Sequence, residues 1–436
     1  MRLSYAQGRI TAIETDQTPQ STDTVVDVLL PALANLHSHS FQRAMAGMTE
    51  YRKAGKDSFW TWRDLMYRFT KHLTPEQVEA IAALVFMEMQ ESGYASVGEF
   101  HYIHHQADGT PYDDLGELSA RIAAAAADTG IGLTHLPVLY SYGGAGQVPL
   151  QAGQARFGND VDRFNALTAR AHGIVADLPD DCRVGIAPHS LRATCPDDLA
   201  TVVAAHNGGP IHIHIAEQPK EVADISAWLG ARPVEWLLEN ADVSRDWCLI
   251  HATHMTDGET KAMAQSGAVA GLCPITEANL GDGPFNGPSY LQHGGAFGVG
   301  SDSNILISLT EELRTLEYSQ RLRDVARNVM VVGEGSIGET LYRGAAQGGA
   351  QALQRGTGEI AVGALADLVA IDSTDTALCA LPPHQLLDGV CFAARDRIVT
   401  DVWSAGRHCV QGGQHRKRDQ IVASYRSAMQ SLMSAL

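Results

Sequence analysis

The chain has 436 residues, of which 45% are hydrophobic and 19% are charged, an ordinary composition for a soluble globular protein. Its net charge is −18, and it has no basic stripe with interleaved aromatic residues, which argues against nucleic acid as a partner. No apolar run approaches the ~20 residues that span a bilayer, and the amino terminus lacks the apolar region of a signal peptide. Seven scattered cysteines without CxxC spacing indicate reduced thiols in a cytoplasmic protein.

The amino-terminal part of the chain predicts short strands followed by a long helix. The first residues alternate in a strand pattern around a turn at Gly8 and lead into the first long strand. Thr74 is a suitable cap for a helix that starts at Pro75 and ends before Gly93. The connection from His39 to Thr74 is too aromatic and charged for a linker, so we expect a structured active-site loop there.

Strand-like and helical segments alternate after this helix. The first long strand leads to His37, and seven further candidate strands follow, at residues 94–100, 132–140, 183–190, 211–217, 247–253, 268–274 and 296–302. Eight strands with helical crossovers favour an α/β fold of the (β/α)8 TIM-barrel type over a doubly wound sheet.

The pattern changes after about residue 355, where glycine-rich β segments resemble those of the amino terminus. We therefore predict a small β-sandwich domain built from both chain ends, residues 1–30 and 356–412. The barrel catalytic domain is expected over residues 31–355, and a terminal helix over residues 413–436, where apolar residues recur at helical spacing.

Metal-binding and proton-transferring side chains follow several of the predicted strands. His37 and His39 are two residues apart, so both face the same side of a strand and can bind one divalent metal. Later segments end in further residues of this kind, namely His214 with Glu217, His251, and Asp302. Because the carboxyl ends of barrel strands open onto one face, this pattern predicts a functional site there.

The motifs of the chain resemble those of the amidohydrolase superfamily along nearly its whole length. They are the HxH triplet, HIHIAE, LIHATH, CPITEANLGDG, GVGSDSN and GALADLVAID. More narrowly, NLHSHSFQRAMAG, FWTWRDLMYRF, EFHYIHH, APHSLRAT and HIHIAEQPKEV resemble the N-formimidoyl-L-glutamate deiminase family. Two positions depart from the expected pattern: Ala32 stands where glycine is usual, and Ser40 replaces alanine.

The resemblance implies a metal-dependent hydrolase that converts N-formimidoyl-L-glutamate to N-formyl-L-glutamate and ammonia in histidine degradation. It also implies a homodimer in the cytoplasm and a dicarboxylate small molecule as the substrate. One divalent metal, with zinc as the expected ion, is assigned to a set of three imidazoles and one carboxylate, His37, His39, His214 and Asp302. The fourth strand segment, VGIAPHS, lacks the lysine that bridges two metals in some relatives, which favours a single ion, and His212 is the competing ligand to His214.

The remaining roles are also assigned by resemblance. Asp302 accepts a proton from the attacking water, Glu217 delivers a proton to the leaving nitrogen, and His251 hydrogen-bonds the attacking oxygen. Two arginines, Arg63 and Arg192, are expected to clamp the carboxylates. Three further residues are expected to hydrogen-bond the rest of the substrate, namely Gln42, Tyr102 and His189. The histidines of EFHYIHH (His101, His104 and His105) are interpreted as packing or supporting residues.

Two alternative functions stay open at this point. Another mononuclear aminohydrolase, acting on guanine or a related heterocycle, would be expected to carry aromatic stacking residues and an amide clamp in place of paired arginines. A noncatalytic barrel that serves as a binding protein would be expected to have lost ligands, whereas every expected ligand and proton carrier is present in this sequence.

Overall fold

The computed structural model describes residues 1–51 and 59–435. The strands of this part of the chain are β1 (Arg2–Ala6), β2 (Arg9–Glu14), β3 (Val28–Pro31), β4 (Leu33–Ser38), β5 (Tyr94–His101), β6 (Gly132–Leu139), β7 (Arg183–Val184), β8 (Ala187–Pro188), β9 (Ile211–Ile215), β10 (Trp247–His251), β11 (Val269–Leu272), β12 (Ala296–Val299), β13 (Leu368–Ile371), β14 (Val399–Ser404), β15 (Arg407–Gln411) and β16 (Gln414–His415).

The α-helices of the same residues are α1 (Phe59–Thr70), α2 (Pro75–Glu91), α3 (Glu117–Thr129), α4 (Val161–Val175), α5 (Pro196–Ala205), α6 (Pro219–Leu229), α7 (Pro233–Asn240), α8 (Asp257–Ser266), α9 (Pro274–Leu280), α10 (Gly287–Gln292), α11 (Leu309–Asp324), α12 (Ile337–Ala352), α13 (Leu386–Phe392) and α14 (Arg418–Ala435). None of these helices combines the length and the apolar character that crossing a membrane requires.

Parallel strands form a closed barrel. Strands β4, β5, β6 and β7 pair in that order, β8 continues β7 along β6, and β9 to β12 form the second half. Isolated bridges close the two seams, Ile186 with Ile211 and Ser190 with His214 on one side, and Ser38 with Asp302 on the other. This arrangement confirms the predicted (β/α)8 TIM-type barrel.

Burial explains why these segments are strands and helices. Every residue of β5 and β6 is buried, as expected for parallel strands that are covered by helices outside and filled with side chains inside. Helix α2 starts with the predicted Thr74 cap, whose side chain accepts from Gln77 N in a capping box. Its apolar stripe is buried between the barrel, α3 and α14, which confirms the predicted core packing.

The small domain combines strands from both chain ends. Strand β3 pairs antiparallel with β13, and the sheet continues through β14 and β15 to β16. Ile10 of the β1–β2 hairpin lies in one apolar cluster with Leu368 and Trp403 of the larger sheet, so the two sheets share a core. The domain boundaries stay a prediction, with one observed difference: β16 lies beyond residue 412, and the last helix begins at Arg418.

The described part of the connection between the first barrel strand and α2 is mainly helical. A 3-10 helix covers Ser40–Met45, and α1 follows at Phe59–Thr70. Residues 52–58, which belong to the predicted active-site loop, lie outside the described residues. The described part therefore carries side chains toward the barrel on a regular helix, which fixes their direction better than an irregular loop does.

Candidate functional site

The closing seam of the barrel holds three of the four predicted metal ligands together, namely His37, His39 and Asp302. The backbone N–H of His39 donates to Asp302 O, and the N–H of Asp302 donates to His37 O, both at 2.9 Å. Asp302 has a positive φ of 46°, and the strand-end residue His251 has a φ of 67°. Such left-handed backbone is unfavourable for residues other than glycine and concentrates at functional sites.

The four predicted ligand residues converge. The ligand atoms of His37, His39, His214 and Asp302 lie within 4.8 Å of one another, and all four side chains are buried. Asp302 Oδ1 is 3.5 Å from His37 Nε2 and 3.3 Å from His39 Nε2. The Nε2 atoms of His37 and His214 are only 3.1 Å apart.

The hydrogen bonds of the Nδ1 atoms indicate which kind of ion these four residues can bind. His39 Nδ1 donates to Phe100 O at 2.9 Å, and His214 Nδ1 donates to His189 O at 3.1 Å. Each neutral ring therefore presents its Nε2 lone pair to the others. Burial lowers the pKa of His37 to about 3, which keeps that ring neutral. Three neutral imidazoles and one carboxylate fit a borderline divalent cation such as zinc.

The competing ligand His212 has a different surrounding. Its Nε2 lies 2.8 Å from Ala352 O, and it does not belong to a group of converging ligand atoms in the described residues. Strand β9 thus directs His214 toward the other three predicted ligands, whereas His212 binds the main chain of the last residue of α12.

We call His37, His39, His214 and Asp302 the metal cluster. The predicted proton-transfer residues Glu217 and His251 lie beside it. His251 Nε2 is 3.8 Å from Asp302 Oδ2 and 3.9 Å from Glu217 Oε1. Burial raises the pKa of Glu217, while His251 and Arg192 oppose that shift. Burial also disfavours the charged form of His251, but the hydrogen bond with Glu277 and the nearby Glu217 and Asp302 raise its pKa to about 10.

The two predicted arginines face the same cavity from different elements. Arg192 Nη2 donates to Glu217 Oε2 at 3.1 Å, and its Nε is 3.5 Å from Glu221 Oε2. The Arg63 guanidinium lies 4.5 Å from the centroid of the Trp60 ring, and its Nε is buried without a hydrogen-bond partner in the described part of the chain. Arg63 therefore retains donor capacity for an anionic ligand.

The other predicted substrate contacts complete the cavity. Gln42 Nε2 donates to Tyr102 Oη at 2.8 Å, and His189 Nδ1 is 2.9 Å from Ser190 Oγ. All the predicted site residues except His37 line this cavity, namely His39, Gln42, Arg63, Tyr102, His189, Arg192, His214, Glu217, His251 and Asp302. The structure thus brings the whole predicted set together, and the individual roles stay predictions.

Several supporting residues were not predicted. Asn304 is fully buried, and its Nδ2 contacts Ser38 Oγ, His39 O and Asp302 O at 3.0–3.2 Å. It lies in the GVGSDSN motif, in which only Asp302 was given a role. Glu277 lies in CPITEANLGDG and is 3.2 Å from His251 Nδ1. Both motifs were recognised, but spacing alone does not show which side chain braces another.

The departure at Ser40 also has a structural role. Its backbone N–H and its hydroxyl both donate to Glu99 Oε1, at 2.8 and 2.6 Å. Burial raises the pKa of Glu99 to about 7. The hydroxyl therefore adds a second anchor to the turn that follows His39, which alanine at this position would lack. The other departure, Ala32, is buried in the core of the small domain.

Comparison with known proteins places this barrel and its histidine–aspartate cluster in a class. The sequence matches the amidohydrolase family over residues 28–409, so the chain belongs to that family. It is 47% identical to the formimidoylglutamate deiminase of Pseudomonas aeruginosa over 430 residues, which covers 98% of this chain and 94% of that protein. It is 27% identical to the 5-methylthioadenosine/S-adenosylhomocysteine deaminase of Natronomonas pharaonis, covering 95% of this chain and 87% of that protein.

Solved structures agree with this placement. The amidohydrolase of Brucella melitensis superposes with a TM-score of 0.93 and 47% identity, covering 99% of this chain and 95% of that chain. An adenosine deaminase of Xanthomonas campestris with bound zinc has a TM-score of 0.78 and 22% identity, with coverage of 99% and 93%. The second likeness shows the fold alone.

Proposed function

We propose that the protein hydrolyses N-formimidoyl-L-glutamate to N-formyl-L-glutamate and ammonia. The observation that carries this proposal is that Arg63 and Arg192 line the same cavity as the metal cluster. Two guanidinium groups suit a substrate with two carboxylates. A guanine-type heterocycle has no carboxylates that would pair with these two guanidinium groups. The 47% identity with a formimidoylglutamate deiminase supports the same substrate.

We propose zinc as the metal, held by His37, His39, His214 and Asp302. When bound, zinc supplies the Lewis acidity that makes water a nucleophile near neutral pH. The chemistry of the donor set supports this ion, because three imidazoles and one carboxylate are typical zinc ligands. The absence of lysine from the fourth strand segment supports a single ion in the resting enzyme.

The surrounding residues move protons and hold charge. Asp302 Oδ2, the oxygen directed away from His37 and His39, accepts the proton of the attacking water. Glu217 protonates the leaving nitrogen, so water and the amidine yield the formyl amide and ammonia. His251 donates a hydrogen bond to the oxygen on which negative charge develops. Its contact with Glu277 keeps the ring in the orientation that this donation needs.

Substrate binding and proton transfer are linked through Arg192. In the structure this arginine pairs with Glu217, the residue that donates the proton. A substrate carboxylate that binds Arg192 competes for the same guanidinium. We therefore assign Arg192 a dual role, in carboxylate binding and in holding Glu217, and Arg63 a role in carboxylate binding alone.

The decisive experiment measures ammonia release from N-formimidoyl-L-glutamate and from guanine by metal-replete protein. We expect turnover of the first and none of the second. Ammonia release from guanine alone would contradict the proposal. Metal analysis of the same preparation is expected to show one equivalent of zinc, and a metal-free, inactive protein would favour a binding protein.

We also propose that the enzyme is a cytoplasmic homodimer. The cytoplasm is supported by seven cysteines that form no disulfide, all of which lie in the described residues. The homodimer rests on resemblance to the deiminase family. Light scattering of the purified protein is expected to give twice the mass of the 46.7 kDa chain, and a mass of one chain would contradict it.

A further inference from the structure

A second group of metal-ligating side chains lies beside the first. The ligand atoms of His251, Cys273 and Asp302 lie within 4.8 Å of one another, and all three residues are buried. His251 ends β10, Cys273 directly follows β11, and Asp302 follows β12. The three residues therefore come from consecutive barrel strands, whose carboxyl ends open onto the catalytic face.

Asp302 contributes a different oxygen atom to each group. Its Oδ1 faces His37 and His39, whereas its Oδ2 lies 3.8 Å from His251 Nε2. A carboxylate used in this way bridges two metal ions in many enzymes, with the ions about 3.5–4 Å apart. The second group is thus placed to share Asp302 with the first without displacing it.

One ring nitrogen of His251 is held as in a metal ligand, and the other loses its proton when a cation binds. Its Nδ1 is 3.2 Å from Glu277 Oε1, and the same oxygen accepts from Cys273 N at 2.9 Å. Metal-ligating histidines commonly donate their second ring N–H to a carboxylate in this manner. Glu217 Oε1 lies 3.9 Å from His251 Nε2 but is not a member of this group of three. A thiolate, an imidazole and a carboxylate suit zinc or a softer ion such as cadmium.

We propose that a second, thiophilic divalent cation binds between His251, Cys273 and Asp302 and inhibits the enzyme. The cation enters through the substrate cavity, which Glu217, His251 and Asp302 line, while Cys273 is fully buried below them. The inhibition follows because the cation occupies His251, the proposed hydrogen-bond donor to the attacking oxygen, and this consequence rests on the proposed function. Binding itself does not depend on that function.

The sulfur ligand makes the two metal positions distinguishable. The test titrates cadmium chloride into zinc-loaded enzyme that carries Cys379→Ser, because Cys379 is an exposed cysteine that offers cadmium an unrelated thiolate. A thiolate-to-cadmium charge-transfer absorption is expected to saturate at one added equivalent, since the first site has no sulfur. Deimination is expected to fall in parallel, by about 100-fold at saturation, because His251 can no longer donate a hydrogen bond to the attacking oxygen.

Two further variants decide the assignment. Cys273→Ser is expected to lose both the absorption band and the inhibition. The matched control is Cys248→Ser, which removes another fully buried cysteine from the same apolar cluster and is expected to keep both. If Cys273→Ser does not fold, as judged by circular dichroism, His251→Asn is used instead and is scored on the absorption band alone.

The outcomes separate this proposal from the proposed function. An absent band, or a band that survives Cys273→Ser or His251→Asn, overturns the second site. A band without inhibition overturns the inhibitory role. If the protein releases no ammonia from N-formimidoyl-L-glutamate, the proposed function fails, while the cadmium titration still decides whether the second site exists.

Discussion

Two groups of histidines are buried in this barrel, and they differ in where their ring nitrogens point. In the metal cluster, the Nε2 atoms of His37 and His214 are 3.1 Å apart. The second group, which we name the β5–β6 histidine cluster, consists of His101, His104 and His135. Their ring centroids are 5.3 and 5.5 Å apart, with His101 in the middle.

The ring nitrogens of the β5–β6 histidine cluster do not converge on one point. His104 Nε2 donates to Val138 O, and His135 Nε2 lies 3.0 Å from Ser119 Oγ. Among the described residues, the converging ligand groups contain none of its three histidines. Proximity of imidazoles therefore does not make a metal site. In the metal cluster, main-chain carbonyls bind the Nδ1 atoms of His39 and His214, and the Nε2 atom of His214 faces that of His37.

The sharpest test of this comparison removes one histidine from each group. His214→Asn is expected to lose the bound metal and to lower turnover by more than about 1,000-fold, because hydroxide formation near neutral pH depends on the metal. His135→Asn, the matched control, is expected to keep both. Metal analysis and ammonia release measure the two effects. Metal retained by His214→Asn, or lost by His135→Asn, would contradict the assignment.

A second change keeps the metal cluster and removes the proton donor. Glu217→Gln is expected to lower turnover by about 1,000-fold, the range of a lost general acid, while one equivalent of metal stays bound. The same two assays measure it. Turnover that survives in this variant would mean that another group carries the proton to the leaving nitrogen.

The difference between the two groups also shows what sequence can predict. The ligands could be predicted because each follows a short apolar strand and because strand ends meet on one face of a barrel. His101, His104 and His105 are closer together in sequence than the ligands are, yet resemblance rather than spacing kept them out of the metal set. Spacing alone does not separate His212 from His214, since both lie on the same strand at even spacing. Resemblance favoured His214, and among the described residues only His214 belongs to a group of converging ligand atoms.

The residues that hold the site residues in position could not be predicted from the sequence. Asn304 acts on Ser38 and His39, which are more than 260 residues away in sequence. Glu221 lies one helical turn beyond Glu217 and accepts its backbone N–H at 3.1 Å. Such residues bind other protein groups and not the substrate, so their chemistry leaves no pattern in one sequence that distinguishes them from ordinary polar residues.

The arginines near the two groups of histidines differ in the same way, which extends the comparison to substrate binding. Arg63 lines the cavity, and its Nε has no hydrogen-bond partner among the described residues. By contrast, Arg156, which borders the β5–β6 histidine cluster, donates to His105 O and Leu73 O. Arg63→Met is expected to raise KM by about 10- to 100-fold with kcat nearly unchanged, because a charge-assisted contact is lost. Steady-state kinetics measure this effect.

Arg192→Met and Arg156→Met are the comparison variants for that measurement. The first is expected to raise KM and also to lower kcat, since Glu217 loses its partner. The second is expected to lower the melting temperature and to leave KM unchanged. Equal effects of Arg63→Met and Arg192→Met on kcat would contradict the division of roles between the two arginines.

Asn304 binds the main chain at the barrel seam. We expect its loss to weaken metal binding less than the loss of a metal ligand does, and more than the loss of a distant hydrogen bond does. Asn304→Ala is expected to weaken metal binding by about 10- to 100-fold, the usual cost of losing a group that orients ligands. Ser119→Ala, which removes the partner of His135 in the β5–β6 histidine cluster, is expected to leave metal affinity unchanged. Competition with a chelator measures both variants, and equal affinities would show that Asn304 only stabilises the fold.

The smallest expected effect concerns acid stability and arises from the β5–β6 histidine cluster. Burial lowers the pKa of both His104 and His135 to about 3, whereas an unfolded histidine titrates near 6.5. Between these values the unfolded chain binds more protons than the folded one, so the free energy of unfolding falls as the pH falls. Each histidine accounts for a loss of about 2 kcal/mol between pH 7 and pH 5.

The effect of His135 on the free energy of unfolding can be separated from that of the metal site by comparing the wild type with His135→Asn. Urea unfolding of the wild type and of His135→Asn at pH 7 and pH 5 subjects the metal cluster to the same acidification in both proteins. The wild type is expected to lose about 2 kcal/mol more than the variant over this interval. Equal losses would mean that His135 already carries a proton in the folded protein, and the cluster would then hold a buried charge that its neutral neighbours do not balance.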